Sequence, residues 1–345
     1  LLTGMRGSND ASYQYAHALA MGGQKSFGQV ETVDGEYDLV VVGGGISGLS
    51  AAYFYQQTVG KNKKILILDN HDDFGGHARR NEFTIDGKTY LNYGGSQTIQ
   101  EPGDYSRVAR KLLKDLAIDI PAFGRYYDKE FYGRNNLGSV TYFNKKEYGE
   151  DKIVKHMLPD FSDFLIGIVK PSMKYEDAID QMPLSAVAKE QFKKIMEGKP
   201  ANLPGKDKKS VSRYLKKTAY PQFLNEQFGT DDPQVLHILR MISADNWGMG
   251  TDTLSAHEAI SAGAPGLNDE LVLSFLGKKD LSGNMAWEPY IHHFPDGNAS
   301  IARLLVRKMM PQVAAGSSAE DVVMSRFDYS KLDSPDSPVR LRLNS

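Results

Sequence analysis

The chain's first sharply patterned stretch is Asp38-Leu39-Val40-Val41-Val42, a β-branched run of the kind buried on both faces in a parallel sheet. Gly43-Gly44-Gly45-Ile46-Ser47-Gly48 follows, and Leu49 to Tyr55 then repeats apolar residues at helical spacing. A second apolar run, Ile65-Leu66-Ile67-Leu68, ends on Asp69. Strand, glycine-rich turn, helix and strand thus follow one another between Asp38 and Asp69. Upstream, residues 1–36 form an arm punctuated by Gly and Ser around one short helical pattern near Ala11–Met21. Past Gly103 the pattern changes to polar helices with aromatic-rich stretches between them. Phe123–Tyr132 and Val140–Phe143 are predicted as strands. Lys206–Lys217 is a basic run, predicted as a solvated helix face, with docking to an acidic partner as the other reading. Gly263–Asn268 is a turn-rich break, Ile301–Met310 is a helix stopped by Pro311, and Val339–Asn344 alternates as a strand.

Three glycines in a GxGxxG spacing are weak evidence alone. Here a buried strand precedes them, a helix follows, and an acid closes the next strand, which is the context a dinucleotide site requires. Gly43 permits the tight turn, Gly45 lets backbone approach a pyrophosphate, and Gly48 lets helix and strand pack closely. Ile46 and Ser47 lie at the helix N-terminus, where unpaired N–H groups and the helix dipole favour a diphosphate. Asp69 follows Gly48 by 21 residues, near the spacing of an acid that bonds a ribose hydroxyl, with Asn70 beside it.

NAD and FAD share this unit, and the residues after it choose between them. Gly75-Gly76 follows Asp69, with His77 and Arg79 close behind, and a second doublet, Gly94-Gly95, precedes Ser96-Gln97-Thr98. Paired glycines there let backbone close on the extended ribityl and ring end of FAD. With these residues the chain resembles the flavin amine oxidase superfamily. It departs from that pattern where Asp69 replaces the commoner Glu and where His77 stands at the usual Arg. Arg79 is the other candidate to meet the phosphates.

Longer strings resemble bacterial spermidine dehydrogenases within that superfamily. They are Leu2-Thr3-Gly4-Met5-Arg6-Gly7-Ser8 with Ala16-His17, Leu68 to His77, and His293-Phe294-Pro295-Asp296-Gly297-Asn298. The resemblance implies an α/β fold, a Rossmann-type FAD-binding domain with an inserted mixed α+β substrate domain. It divides the chain into an arm (1–36), the first part of the FAD domain (37–102), a substrate region (103–330) and the start of a return strand (331–345). It implies oxidation of a polyamine or related amine, transfer of electrons to an acceptor, and in some members a haem b group. It also implies a further C-terminal segment that completes the flavin site, either covalently or as a partner polypeptide. By that expectation residues 1–345 alone would bind FAD weakly and leave an open strand edge and an uncovered apolar sheet face. A flavin desaturase and a non-catalytic electron-transfer module share the same dinucleotide unit and stay open as alternatives.

Amine oxidation at a flavin needs a neutral reacting nitrogen, so carboxylates belong at the distal ammonium groups of a polyamine, helped by aromatic faces. Asp245, Trp247 and Asp252, with Glu258 on a following helix, are candidates, against a structural reading in which Trp247 anchors a core and the acids are solvated or cap the helix. Ser96, Gln97 and Thr98 are candidates for the reactive edge of the flavin. His17, His292 and His293 are candidate haem ligands, with structural roles as the alternative.

The remaining composition narrows the field little. Lys plus Arg number 41 against 43 for Asp plus Glu, so the net charge of −2 makes no electrostatic case for nucleic acid. There are no cysteines, which removes disulfides, iron–sulfur clusters and a cysteinyl flavin link within this chain. No apolar run is long enough for a transmembrane helix. Cytoplasm and periplasm both stay open as locations. HExxH, GxSxG and P-loop lysine motifs are absent from the sequence.

Overall fold

The computed structural model describes residues 10–26, 28–30, 32–33, 35–100, 102–128, 130–138, 140–155, 173–205, 207–276 and 292–345. The chain forms two compact units, one from 1–126 with 291–345 and the other from 127–290. The second is therefore inserted into the first. The first unit takes in 103–126 and 291–330, which the sequence pattern groups with the substrate region.

The first unit is built on a parallel sheet ordered β1 (Leu39–Val42), β2 (Ile65–Leu68) and β7 (Val339–Arg342). Leu39 pairs with Ile65, and Ile65 in turn with Val339, so a strand from the end of the chain lies beside the opening βαβ unit. Ile65, Ile67, Val339 and Leu341 are buried, as alternating apolar strands require. Helix α2 (Ile46–Val59) links β1 to β2 and buries Leu49, Ala52 and Tyr53. The helix Ala299–Met309 packs on α2. Tyr53 donates to Asp115 at the end of α3 (Arg107–Asp115) over 3.1 Å, and burial, with that carboxylate, pushes its hydroxyl up to about 12.

Two expectations are corrected here. β1 is not buried on both faces: Val40 is 51% and Val42 87% exposed. β1 lies at the edge of the sheet among the described residues, and α2 covers only its other face. The exposed apolar positions thus lie on β1, while β1 and β7 are both edge strands among the described residues, each paired with β2 on one side only. Phe123–Tyr132 is not a strand either. Pro121 opens a 3-10 helix over Ile120–Arg125, and Phe131–Arg134 forms a separate helical turn. Pro at a helix start and the interrupting Gly124 and Gly133 outweigh the β preference of the aromatic rings.

The hairpin β3 (Arg79–Ile85) and β4 (Lys88–Gly94) turns on Asp86-Gly87, both at positive φ, the usual chemistry of a two-residue connection. The helix α1 (Asp10–Ala20) occupies the helical pattern of the arm.

The second unit is mostly helical, with one hairpin, β5 (Thr141–Phe143) and β6 (Lys152–Val154). Its core gathers Phe143, Val154, Phe192, Leu215, Tyr220 and Phe223. Ser185, Asp207, Asp232 and Ser255 each cap a helix with a side-chain oxygen. The basic run forms the helix Lys208–Lys217, which buries Val211 and Leu215 and turns its lysines outward, the solvated face expected. Among the described residues no helix is long and apolar enough to cross a membrane.

Candidate dinucleotide site

Helix α2 begins at Gly45 with no side-chain cap and no acid in its first turn. Its first N–H groups therefore face outward without a competing carboxylate on the same turn, which suits an anion. Gly48 lies so close to β1 that a Cβ there would overlap the Gly43 carbonyl oxygen and come within 3.1 Å of Val41 Cγ1. Gly45 and Gly75 form a parallel bridge, and Gly75 N–H donates to Gly44 O over 2.9 Å. A Cβ on Gly76 would lie 3.0 Å from Gly45 Cα. The two glycine turns thus pack backbone on backbone, leaving no side chain between them and the start of α2.

Asp69 closes β2 and is buried, its Oδ2 accepting from Gly44 N–H at 2.7 Å. Its Oδ1 accepts from the His71 N–H and faces His71 Nδ1, each at 2.9 Å. A carboxylate has about four acceptor positions, so capacity for a ribose hydroxyl remains. Sequence reasoning missed His71 as a neighbour of this acid, although an acid followed two residues later by a donor is a local signal. Asn70 is exposed and lines a cavity of about 880 Å³ at the carboxyl ends of β2 and β7. Leu68, Arg342, and Tyr15 and Leu19 of α1 line it too. This is the end of a parallel sheet where ligands bind.

Ile46 and Gly94 are half-buried, and Ser47 is exposed on the first turn of α2. His77 is exposed, while Arg79 is buried and donates to the Asp73 carbonyl at 3.2 Å. Behind the hairpin, Arg80 donates to Glu82 and to Asp296, each at 2.5 Å, and Ser300 donates to Asp296 at 2.6 Å. Tyr329 donates to Asp73 at 2.8 Å, and burial beside that carboxylate pushes its hydroxyl far up. Arg303 lies over the Phe327 ring at 4.0 Å, and burial, with Arg80 nearby, brings its guanidinium down to about 10. These buried charges stiffen the platform that carries both glycine doublets.

Gly95 follows β4 with φ near +101°, and a Cβ there would overlap the His77 carbonyl oxygen. Ser96, Gln97 and Thr98 continue half-buried into Ile99, whose N–H donates to His292 O at 2.8 Å. The fold therefore brings Gly43–Gly48, Asp69, Gly75–His77 and Gly94–Thr98 into one unit.

The substrate candidates lie in the other unit. Trp247 is 39% exposed at the end of a short helical turn, so it is no core anchor. Asp252 pairs with Arg240 at 3.3 Å. Glu258 accepts from Ser255 Oγ while its own N–H donates to the same oxygen, so the hydroxyl that caps the helix also holds the carboxylate. The Ser-x-x-Glu spacing carries that signal in the sequence. Asp245 belongs to the turn before Trp247, and its side chain lies outside the described residues.

Of the histidines, His17 is exposed with its ring tilted against that of Tyr13, the centroids 4.7 Å apart. His292 is buried 6.0 Å from the Phe123 ring, and His293 bonds Phe294 O through Nδ1 at 2.9 Å. Each is engaged with its neighbours, and nothing in this geometry favours the haem reading. No group of three metal-ligating side chains occurs among the described residues.

Residues 41–116 match the family model for an NAD(P)-binding Rossmann-like domain. The chain is 34% identical over 86 residues to an uncharacterised protein of Acanthamoeba polyphaga mimivirus, a match covering 25% of this chain and 16% of that protein. It is 33% identical over 95 residues to the oxidoreductase PigB of a Serratia species, covering 28% of this chain and 12% of PigB. Among solved structures, a putrescine oxidase bound to putrescine aligns at 15% identity and a TM-score of 0.33, over 79% of this chain and 49% of that one. A putative protoporphyrinogen oxidase from Exiguobacterium aligns at 17% identity and a TM-score of 0.41, over 89% and 52%. The chain thus spans about half the length of these structures. It contains a Rossmann-like dinucleotide-binding domain.

Proposed function

We propose that the chain is the dinucleotide-binding portion of an FAD-dependent oxidoreductase that oxidises an amine, with a polyamine of spermidine type as the favoured substrate. The observation that carries this reading is the contact between Gly45 and Gly75-Gly76 at the open start of α2. Two apposed glycine turns leave room for a diphosphate, and the Gly94-Gly95 turn extends the same backbone surface toward a longer cofactor than ADP alone. When bound, FAD supplies a two-electron acceptor for the C–H bond beside the amine nitrogen, giving an imine that water hydrolyses.

The chain's own residues bind and orient. N–H groups of Ile46 and Ser47 receive the diphosphate, Asp69 receives a ribose hydroxyl, and Asn70 borders the adenosine end. His77, exposed where Arg79 is buried, is the side chain that meets the phosphates. Gly94, Gly95, Ser96, Gln97 and Thr98 receive the ring end. Trp247, with Asp245, Asp252 or Glu258, grips the distal ammonium groups of the substrate, and electrons leave to a separate acceptor.

Denaturing the purified protein should release a yellow chromophore that chromatography identifies as FAD, and Gly45→Val should abolish its binding. Recovery of NAD alone, or no nucleotide after reconstitution, overturns the reading. Glu258→Gln retains a side-chain oxygen that can accept from Ser255 Oγ and leaves the Ser255 cap on the 258 N–H in place. It should raise KM for a polyamine but not for a monoamine; equal effects on both would return Glu258 to a purely structural role.

A further inference from the structure

The Gly95–Thr98 loop is held by a turn 200 or more residues away in sequence. Asn298 N–H donates to Ser96 O at 3.0 Å, and its side-chain Nδ2 donates to Ser96 Oγ at 2.8 Å and to Thr98 O at 2.9 Å. Gly297 sits against the same loop, so close that a Cβ would overlap Ser96 O and meet Tyr93 Cβ at 2.7 Å. On the loop's other side, Gly95 rests on the His77 carbonyl.

The turn itself is fixed. Asp296 is 0% exposed, with Arg80 on one oxygen and Ser300 on the other. The orientation of the Asn298 amide is set by its partners, because the Thr98 carbonyl can only accept, so the amide must present its NH2 there. Asn298 Oδ1 is buried and has no hydrogen-bond partner among the described residues. A buried acceptor left unmet disfavours folding, so packing alone does not account for this side chain.

We propose that Asn298 is a positioning residue: it fixes the shape of the Gly95–Thr98 loop that receives the ring end of FAD, and leaves the ADP end untouched. The proposal rests on the reading of Ser96–Thr98 as the flavin edge. Its consequence is selective. Losing the clamp should weaken recognition of the ring, whereas the diphosphate and ribose contacts at α2 and Asp69 depend on other residues.

The test uses the full chain, stripped of flavin and titrated separately with FAD and with ADP. Asn298→Asp keeps the side chain's shape but replaces the donor with an oxygen facing Thr98 O. The Kd for FAD should rise at least tenfold, about 1.4 kcal/mol, and the Kd for ADP should stay within twofold. The visible absorption of the bound flavin should shift toward that of free FAD. An unchanged FAD affinity and spectrum, or parallel weakening of FAD and ADP, overturns the proposal. Should Asn298→Asp fail to fold, Ser96→Ala removes one contact of the clamp and should raise the FAD Kd two- to fivefold with ADP unaffected; no change overturns the proposal equally. A wild-type protein that binds ADP but no FAD sinks the flavin reading and this inference together, whereas wild-type FAD binding that survives Asn298→Asp intact sinks this inference alone.

Discussion

The two units bury different chemistry. Asp69, Asp73, Arg79, Glu82, Asp296, Arg303 and Arg307 are all buried in the first unit. Among the described residues of the second unit, the buried polar side chains are uncharged, such as Thr218, Gln227 and Ser243, around an aromatic and aliphatic core. Buried ion pairs add little stability compared with apolar packing, because desolvation offsets much of their attraction. What they do here is hold glycine-rich backbone, which has no side chains of its own to pack, in one conformation. The described residues of the second unit pack around a hydrophobic core instead.

The largest effects should separate the two regions by consequence rather than by size. Arg80→Leu strands the carboxylates of Glu82 and Asp296, at a cost of about 3–5 kcal/mol in urea unfolding. FAD affinity should fall with it, because the hairpin carries Gly94-Gly95. Phe192→Ala in the second core should cost about 3–5 kcal/mol as well, through the cavity it leaves. It should not change FAD affinity in the fraction that remains folded. Loss of flavin binding in folded Phe192→Ala protein would break the comparison.

A smaller effect tests the backbone surface itself. Gly48→Ala forces a methyl into the Gly43 carbonyl, so stability should fall by about 1–3 kcal/mol and ADP binding should be lost in the same titration. Tolerance of that methyl with full binding would mean the turn is looser than its contacts imply.

Two minor changes sharpen the contrast. Ser255→Ala removes a helix cap in the second unit and should cost about 1 kcal/mol, read by thermal melting, with nucleotide binding unaltered. Asp321→Asn concerns the first unit. Burial would raise the Asp321 carboxyl, but the Ser318 and Ser317 N–H groups and the Arg307 guanidinium outweigh it and hold it far below the usual range. A depressed carboxyl contributes stability that is present above its unfolded value near about 4 and is lost as pH falls from there toward its folded value. Acid titration should therefore show wild type losing more stability than Asp321→Asn below about pH 4. Identical acid curves would remove Asp321 from the account.

The opening unit was legible because its elements follow one another locally: an apolar strand, glycines, a helix and an acid within one short stretch. The same locality explains Asp207, Asp232 and Ser255 as caps, and the Ser255-x-x-Glu258 spacing places the carboxylate within reach of the capping hydroxyl. Val40 and Val42 misled because a β-branched run reports strand propensity, whereas exposure depends on which neighbours the sheet acquires. In Phe123–Tyr132 the aromatic residues favour a strand, but Pro121 starts a 3-10 helix that runs through Gly124 to Arg125. The clamp of Asn298 on Ser96 and Thr98 was out of reach, since nothing in either segment announces a partner so distant in sequence.

The central claim is that the paired glycine turns and Asp69 form one end of an FAD site. A crystal structure of the protein with FAD tests it most directly. The account predicts the diphosphate against the N–H groups of Ile46 and Ser47, a ribose hydroxyl on Asp69, and the ring end along Gly94–Thr98. A diphosphate bound elsewhere, or a ring end directed away from Gly94–Thr98, would contradict it.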